Sequence, residues 1–167
     1  MRLLTLIRHA KSSWDQPGQR DFDRPLNERG IYDAPRMAAH VRSMAGTPER
    51  IVSSPALRAI TTARIFAEIM GIDDSQIAEQ RRIYEASADT LLNLVQNFDD
   101  DARHVMMFGH NPGFSELAHR LARCGFDDLP TCAAVQIGFS AASWSDAGDG
   151  RGVQRFYAFP KQFREKT

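Results

Sequence analysis

Leu3-Leu4-Thr5-Leu6-Ile7-Arg8-His9-Ala10 is a nearly unbroken apolar run that stops abruptly at an arginine and a histidine. A short apolar run without alternation reads as a strand buried on both faces, as strands of helix-covered parallel sheets are. In open α/β sheets ligands sit beyond the carboxyl ends of the strands. Arg8 and His9 therefore stand where a ligand would be. His104-Val105-Met106-Met107-Phe108 repeats the pattern and leads into Gly109-His110-Asn111. Two strands ending in histidines at one edge, with arginines nearby, predict an anion site that contains a nucleophile.

The rest of the chain alternates helices with shorter strands. Lys11 to Leu26 has no sustained period and is rich in Ser, Asp, Gly and Pro, so it reads as a long loop over the ligand end of the sheet. Asn27 is the expected N-cap of a first helix with Ile31, Ala34, Ala38, Val41 and Met44 as its apolar side, stopped by Gly46. Ile51-Val52 makes a short strand. Ser54-Pro55 then reads as a hydroxyl cap with proline at the first helical position. The helix it opens has Leu57, Ile60, Thr61, Ile65, Ala67 and Ile69 as its expected buried side and ends at Gly71. Arg58, one turn in, can reach back toward the free N–H groups at the helix start, a natural place for an anion. A weak strand is expected from Ile77 to Ile83. Ser87 caps a helix with Leu91, Leu92, Leu94, Val95 and Phe98, and the run Asp99 to Asp101 reads as a solvated turn. A further helix is expected from Phe114 to Arg123, and Ala133 to Phe139 with Val153 to Phe159 as a closing strand pair. The sum is an α/β fold, a three-layer α/β/α sandwich around a mainly parallel sheet, expected to be one domain over 1–167.

Composition narrows the function. Lys and Arg number 21 and Asp and Glu 21, so no basic field argues for nucleic acid or an anionic membrane. No apolar run approaches the ~18 residues of a spanning helix, and the start lacks the pattern of a signal peptide. Cys124 and Cys132 are the only cysteines, too few for a disulfide framework. These readings predict a cytoplasmic protein, monomeric, without nucleic-acid or membrane partners.

Known phosphate chemistries can be eliminated one by one. No P-loop pattern is present, and no G-x-S-x-G elbow. Neither cysteine has an arginine six residues later, where Pro130 and Gly138 stand. Asp21-Phe22-Asp23 mimics an aspartate-nucleophile motif, but no apolar strand precedes it. Histidine remains. A nucleophilic His9 must be neutral, and the charges of Arg8 and Arg58 disfavour its imidazolium. The same guanidiniums can fork onto phosphate oxygens, with His110 as a further donor. Phosphoryl transfer needs positioning and electrostatics above all, so no metal and no cofactor is expected. His40 and His119 read as helix-surface residues and His104 as a strand-start residue, and no histidine pair has zinc-site spacing.

These residues also carry a resemblance. Arg8-His9-Ala10 resembles the Arg-His-Gly signature of the histidine phosphatase superfamily, the phosphoglycerate-mutase-like proteins, with Ala10 in place of the usual glycine. Ser53-Ser54-Pro55-Ala56-Leu57-Arg58-Ala59 with Thr61-Thr62-Ala63 resembles its second motif, Gly109-His110-Asn111-Pro112 its third, and Leu26-Asn27-Glu28-Arg29-Gly30 its first-helix motif. The resemblance implies His9 as the phosphorylated nucleophile and Arg8, Arg58 and His110 as the phosphate pocket. Glu85 resembles the position that supplies a proton-donating acid in many members; the alternative is that it only supports the helix capped by Ser87. Lys11 and Ser12, just past the nucleophile, are further candidates to touch phosphate, and Trp14 and Phe22 either anchor the loop or line the pocket mouth. The Arg-His-Ala-Lys-Ser-Ser-Trp run and the compact length resemble the short bacterial branch that includes the phosphohistidine phosphatases. The expected activity is a metal-independent phosphatase acting on a phosphorylated protein, with a small phosphorylated metabolite as the alternative substrate. A non-catalytic phospho-ligand binder stays open, and a mutase is a weaker third reading.

Overall fold

The computed structural model describes residues 1–164. Ten elements build it: β1 (Arg2–Arg8), α1 (Glu28–Ala45), β2 (Arg50–Ser53), α2 (Leu57–Met70), β3 (Ile77–Glu79), α3 (Ala88–Gln96), β4 (His104–Gly109), α4 (Gly113–Ala122), β5 (Ala134–Phe139) and β6 (Gly152–Ala158). The strands form one sheet in the order β3-β2-β4-β1-β5-β6. Pairing is parallel from β3 through β1 and antiparallel for β5 and β6. The result is the α/β fold expected from the alternation of elements.

The central strands bury both faces, as their unbroken apolar runs require. Leu4 and Leu6 look toward α3 and α4, in one cluster with Val105, Met107, Leu91 and Leu117. Ile7 looks the other way, with Met106, Phe108, Ala34, Ala38, Ala63 and Phe66 against α1 and α2. Each large side chain so buried contributes roughly 1.5–3 kcal/mol, and together they hold β1 and β4 as a rigid platform. A small polar cluster interrupts this core: His104 Nε2 lies 2.8 Å from Thr5 Oγ1, which also accepts from Gln136 Nε2.

Several local expectations are corrected. On α1 the buried stripe is Ala34, Met37, Ala38 and Val41, while Ile31 and Met44 are exposed. On α2 it is Arg58, Ala59, Ile60, Thr62, Ala63, Phe66, Ala67 and Met70, one step round from the side first read. Leu57 is exposed, while Ile65 and Ile69 are half-buried at the edge of that stripe and pack against the core. The α2 N-cap is Ala56, whose methyl side chain offers no cap bond, so Ser54 lies two residues before the cap and its hydroxyl accepts from Ala56 N instead. β3 stops at Glu79; Arg81–Ile83 form a 3₁₀ turn that drops Ile83 into the core. Asn27 and Ser87 do cap α1 and α3, accepting from Gly30 N and Thr90 N.

Gly30 has a specific reason to be glycine. A Cβ there would lie 2.2 Å from the Lys11 carbonyl oxygen, so the first turn of α1 can press against the chain just past His9. That contact fixes where the long loop begins.

Candidate active site

β1 and β4 are parallel neighbours, and their register sets Arg8 opposite Gly109. The next residue of each strand, His9 and His110, therefore emerges side by side. Their ring centroids are 5.3 Å apart, and both residues are buried. Arg58 comes from the first turn of α2 and is buried too. Four of the residues singled out in the sequence thus meet at the carboxyl edge of the sheet.

Each is held in a defined state. His9 Nδ1 lies 2.8 Å from the Ala10 carbonyl oxygen. A carbonyl can only accept, so Nδ1 carries the proton and Nε2 keeps its lone pair. Burial drives His9 down to about 3; the bond to Ala10 opposes this, and His110, Arg58 and Arg8 push further in the same direction. The ring is neutral at physiological pH. The Ala10 peptide is itself pinned, its N–H donating to Thr62 Oγ1 at 3.0 Å while the Thr62 hydroxyl donates to the Arg58 carbonyl at 2.7 Å. One hydroxyl thereby couples the strand that ends at His9 to the helix that carries Arg58.

His110 Nε2 lies 2.8 Å from Ser54 Oγ, which already accepts from Ala56 N. Among the described residues Nε2 is the one acceptor found for the buried Ser54 proton, and a hydroxyl donating there places the ring proton of His110 on Nδ1. Burial, then Arg58, hold His110 at about 3, also neutral. Three buried polar atoms of this group have no partner among the described residues: Arg8 Nε, Arg58 Nε and His110 Nδ1. All three are N–H donors. Orphaned buried donors are expensive to maintain; Arg2 Nε and Arg164 Nε, elsewhere in the fold, are unpartnered in the same way.

The long loop closes one side. Its turn Asp21–Asp23 sets the Asp21 carboxylate against Arg58, Arg24 and Tyr84, and the Tyr84 ring stands edge-on to His110 at 5.5 Å. Burial pushes the Asp21 carboxyl up, but the hydrogen bonds from Tyr84 and Arg58 outweigh it and hold the group at about 2. Burial, then the bond to Asp21, pushes the Tyr84 hydroxyl up to about 12.

The other sequence candidates sit apart. Lys11 is exposed, and Ser12 Oγ accepts from Arg24 Nη1 at 2.8 Å. Glu85 is exposed next to Tyr84, in a left-handed conformation with φ 57°. Such backbone is uncommon for a residue with a side chain and is found disproportionately at functional sites. Trp14 is exposed and stacks on Arg24, whose guanidinium carbon is 3.4 Å from the ring centre; Phe22 packs edge-on against Tyr84. A surface hollow of about 860 Å³, lined by Ser13, Pro25, Asn27 and Tyr32 among others, lies on the outer side of the loop and touches none of the four pocket residues. Among the described residues no three His, Cys, Asp or Glu side chains converge as a metal site.

Sequence reasoning missed Asp21, Arg24, Ser54, Thr62 and Tyr84 as parts of this site. Asp21 is weighed in the sequence only as a nucleophile, and Ser54 and Thr62 figure there within the second motif, Ser54 also as a helix cap, without a role of their own in the site. Thr62 carried a signal, since it lies one turn after Arg58 and a threonine hydroxyl can bond the carbonyl four residues back.

Comparison with known proteins agrees with this geometry. The sequence model of the Histidine phosphatase superfamily (branch 1) matches residues 4–112. An uncharacterised chloroplastic protein of Arabidopsis thaliana is 32% identical over 154 residues, covering 87% of this chain and 70% of that protein. The structure of a candidate phosphohistidine phosphatase, SixA, of Agrobacterium tumefaciens superposes with a TM-score of 0.78 at 28% identity, over 95% of this chain and 99% of that one. The protein histidine phosphatase SixA complexed with tungstate shares the fold, with a TM-score of 0.81 at 19% identity over 97% and 99% of the two chains.

Proposed function

Since the chain belongs to branch 1 of the histidine phosphatase superfamily, we propose that it is a phosphatase with His9 as nucleophile and a phosphohistidine on a protein as substrate. The observation that carries this reading is the state of His9. It is neutral, with its proton committed to the Ala10 carbonyl and its Nε2 lone pair free, beside three unpartnered buried donors.

The chemistry follows from those atoms. Nε2 of His9 attacks phosphorus in line, forming an N–P bond while the bond from phosphorus to the leaving group breaks. The leaving group departs with the electron pair. Arg8 and Arg58 turn their Nε edges to the phosphoryl oxygens, and His110 adds Nδ1–H. Preorganised donors of this kind stabilise the charge of the transferring group without a reorganisation cost. Water then attacks the phosphorylated His9, the N–P bond breaks, and inorganic phosphate leaves with His9 neutral again. Two guanidiniums supply the positive charge, so turnover needs no metal.

Similarity to the Agrobacterium SixA structure supports the phosphohistidine substrate. The histidine of a phosphohistidine, with a proton on its other ring nitrogen, leaves as a neutral imidazole, which needs less help from an acid than an alkoxide does. Glu85 favours a second reading, a phosphatase of small phosphorylated metabolites. It adjoins Tyr84, which packs on His110, and a carboxyl there would protonate an alkoxide leaving group.

A substrate panel tests the proposal: a phosphohistidine protein, small sugar phosphates, phosphotyrosine and a generic aryl phosphate. The highest kcat/KM is expected on the phosphohistidine protein. A preference for a sugar phosphate would favour the second reading, and no phosphate release from any of them would leave a binding module.

A further inference from the structure

A guanidinium has two edges that can grip an anion with two parallel N–H groups, Nη1/Nη2 and Nε/Nη2. In Arg58 the first edge is occupied. Nη1 donates to the Asp21 carbonyl oxygen at 2.7 Å and Nη2 to Asp21 Oδ2 at 2.9 Å. The second edge carries the buried Nε, which has no partner. We infer that Asp21 is a positioning residue for Arg58, gripping its Nη1/Nη2 edge so that the Nε/Nη2 edge is presented to the substrate's phosphoryl group. The inference rests on the proposed reading that Arg58 binds that group.

Asp21 is built to hold still. Its carboxylate receives the Tyr84 hydroxyl at 2.6 Å on Oδ2 and Arg24 Nε at 3.1 Å on Oδ1. Arg24 is in turn fixed by Ser12 Oγ and stacked on Trp14. Three separate segments therefore meet on one carboxylate: the loop, α2 and the stretch after β3. Arg8 shows the simpler version of the arrangement, with Nη1 donating to the Leu129 carbonyl at 3.0 Å and Nε buried without a partner. Both pocket arginines are thus tied back through Nη1 by a loop carbonyl and leave Nε unpartnered. Asp21 could instead be an internal anion that competes with substrate, but such an anion would occupy the edge that is unpartnered here.

The test is the affinity of the full-length chain for inorganic phosphate, measured by calorimetry. Wild type, Asp21→Ala, Asp21→Asn, Arg58→Ala and the double variant Asp21→Ala/Arg58→Ala are compared, with thermal melts as a check on folding. Asp21→Ala is expected to weaken phosphate binding roughly tenfold, the scale of one charge-assisted hydrogen bond. Asp21→Asn, which keeps an acceptor oxygen and the shape, should lose less and carries the test if the alanine variant does not fold. KM for an aryl phosphate should rise in step, with kcat less affected. In the Arg58→Ala background the Asp21 change should add nothing, because its effect runs through Arg58. Unchanged or tighter phosphate binding in both Asp21 variants would overturn the inference, and so would an equal loss with and without Arg58. If Arg58→Ala itself binds phosphate as wild type does, the failure lies in the reading of the pocket.

Discussion

Replacing Thr62 by valine removes one oxygen atom and keeps the shape of the side chain. The consequence can be worked from two hydrogen bonds. The Thr62 hydroxyl accepts the Ala10 N–H at 3.0 Å and donates to the Arg58 carbonyl at 2.7 Å, with Thr62 and Ala10 fully buried. The Arg58 carbonyl lies within α2 and retains its helical partner. The Ala10 N–H has no substitute. A buried donor left unsatisfied costs about 1–3 kcal/mol, and each kcal/mol shifts the midpoint of a chain of this size by about 2–4 °C. A drop in Tm of about 2–12 °C is therefore expected. The larger effect falls on catalysis. The same residue offers, through its next peptide, the carbonyl that orients His9, so loosening Ala10 displaces the proposed nucleophile; a misplacement of ~1 Å can cost ~10²-fold in rate. Thermal melts and steady-state kinetics on an aryl phosphate should show reduced kcat with little change in phosphate affinity, since the Arg58 side chain is untouched. An unchanged Tm, or a loss confined to KM, would refute the reasoning.

Burial holds His9, His104 and His110 at about 3, 4 and 3. The unfolded chain takes up protons near 6.5 that the folded chain refuses until those lower values, so stability is full above pH 6.5 and falls as pH drops through the window below it. The slope is at most about 1.4 kcal/mol per pH unit for each histidine; urea midpoints at pH 7 and pH 5 check this, and coincident midpoints would contradict it. His104→Gln, away from the pocket, should flatten the slope. Activity should survive exhaustive EDTA treatment; its loss, with recovery on adding a divalent ion, would contradict the metal-free mechanism. Glu85→Gln should slow hydrolysis of an alkyl phosphate far more than that of a phosphohistidine, by up to ~10²–10⁴-fold. Equal loss on both substrates would make Glu85 structural.

What could be read from the sequence was whatever is local. β1 and β4 announce themselves because a strand covered by helices on both sides is mostly apolar until it ends, and where they end is where Arg8, His9 and His110 stand. Arg58 was legible from its place in the first turn of a helix. The buried side of α2 was misread in part: the helix turns Phe66 onto Phe108 of β4, ring centroids 5.1 Å apart, which leaves Leu57 exposed and Ile65 and Ile69 at the edge of the core. The Asp21 clasp was illegible for a different reason. It joins residues 37 and 63 positions apart, through a loop with no periodicity, and no local pattern encodes such a meeting. Ser54 misled in the same way, since a serine before a proline is a good helix cap and its hydroxyl was claimed by a histidine 56 residues away.

The central claim is that Nε2 of His9 is the atom that takes the phosphoryl group. Rapid quench of the enzyme with a ³²P-labelled substrate, followed by NMR of the trapped phosphoenzyme, tests it directly. An acid-labile, base-stable phosphoryl group on His9 Nε2 is expected, absent from His9→Ala, because Nδ1 is committed to the Ala10 carbonyl. Label on Nδ1, or label persisting at full level in His9→Ala, would contradict the account.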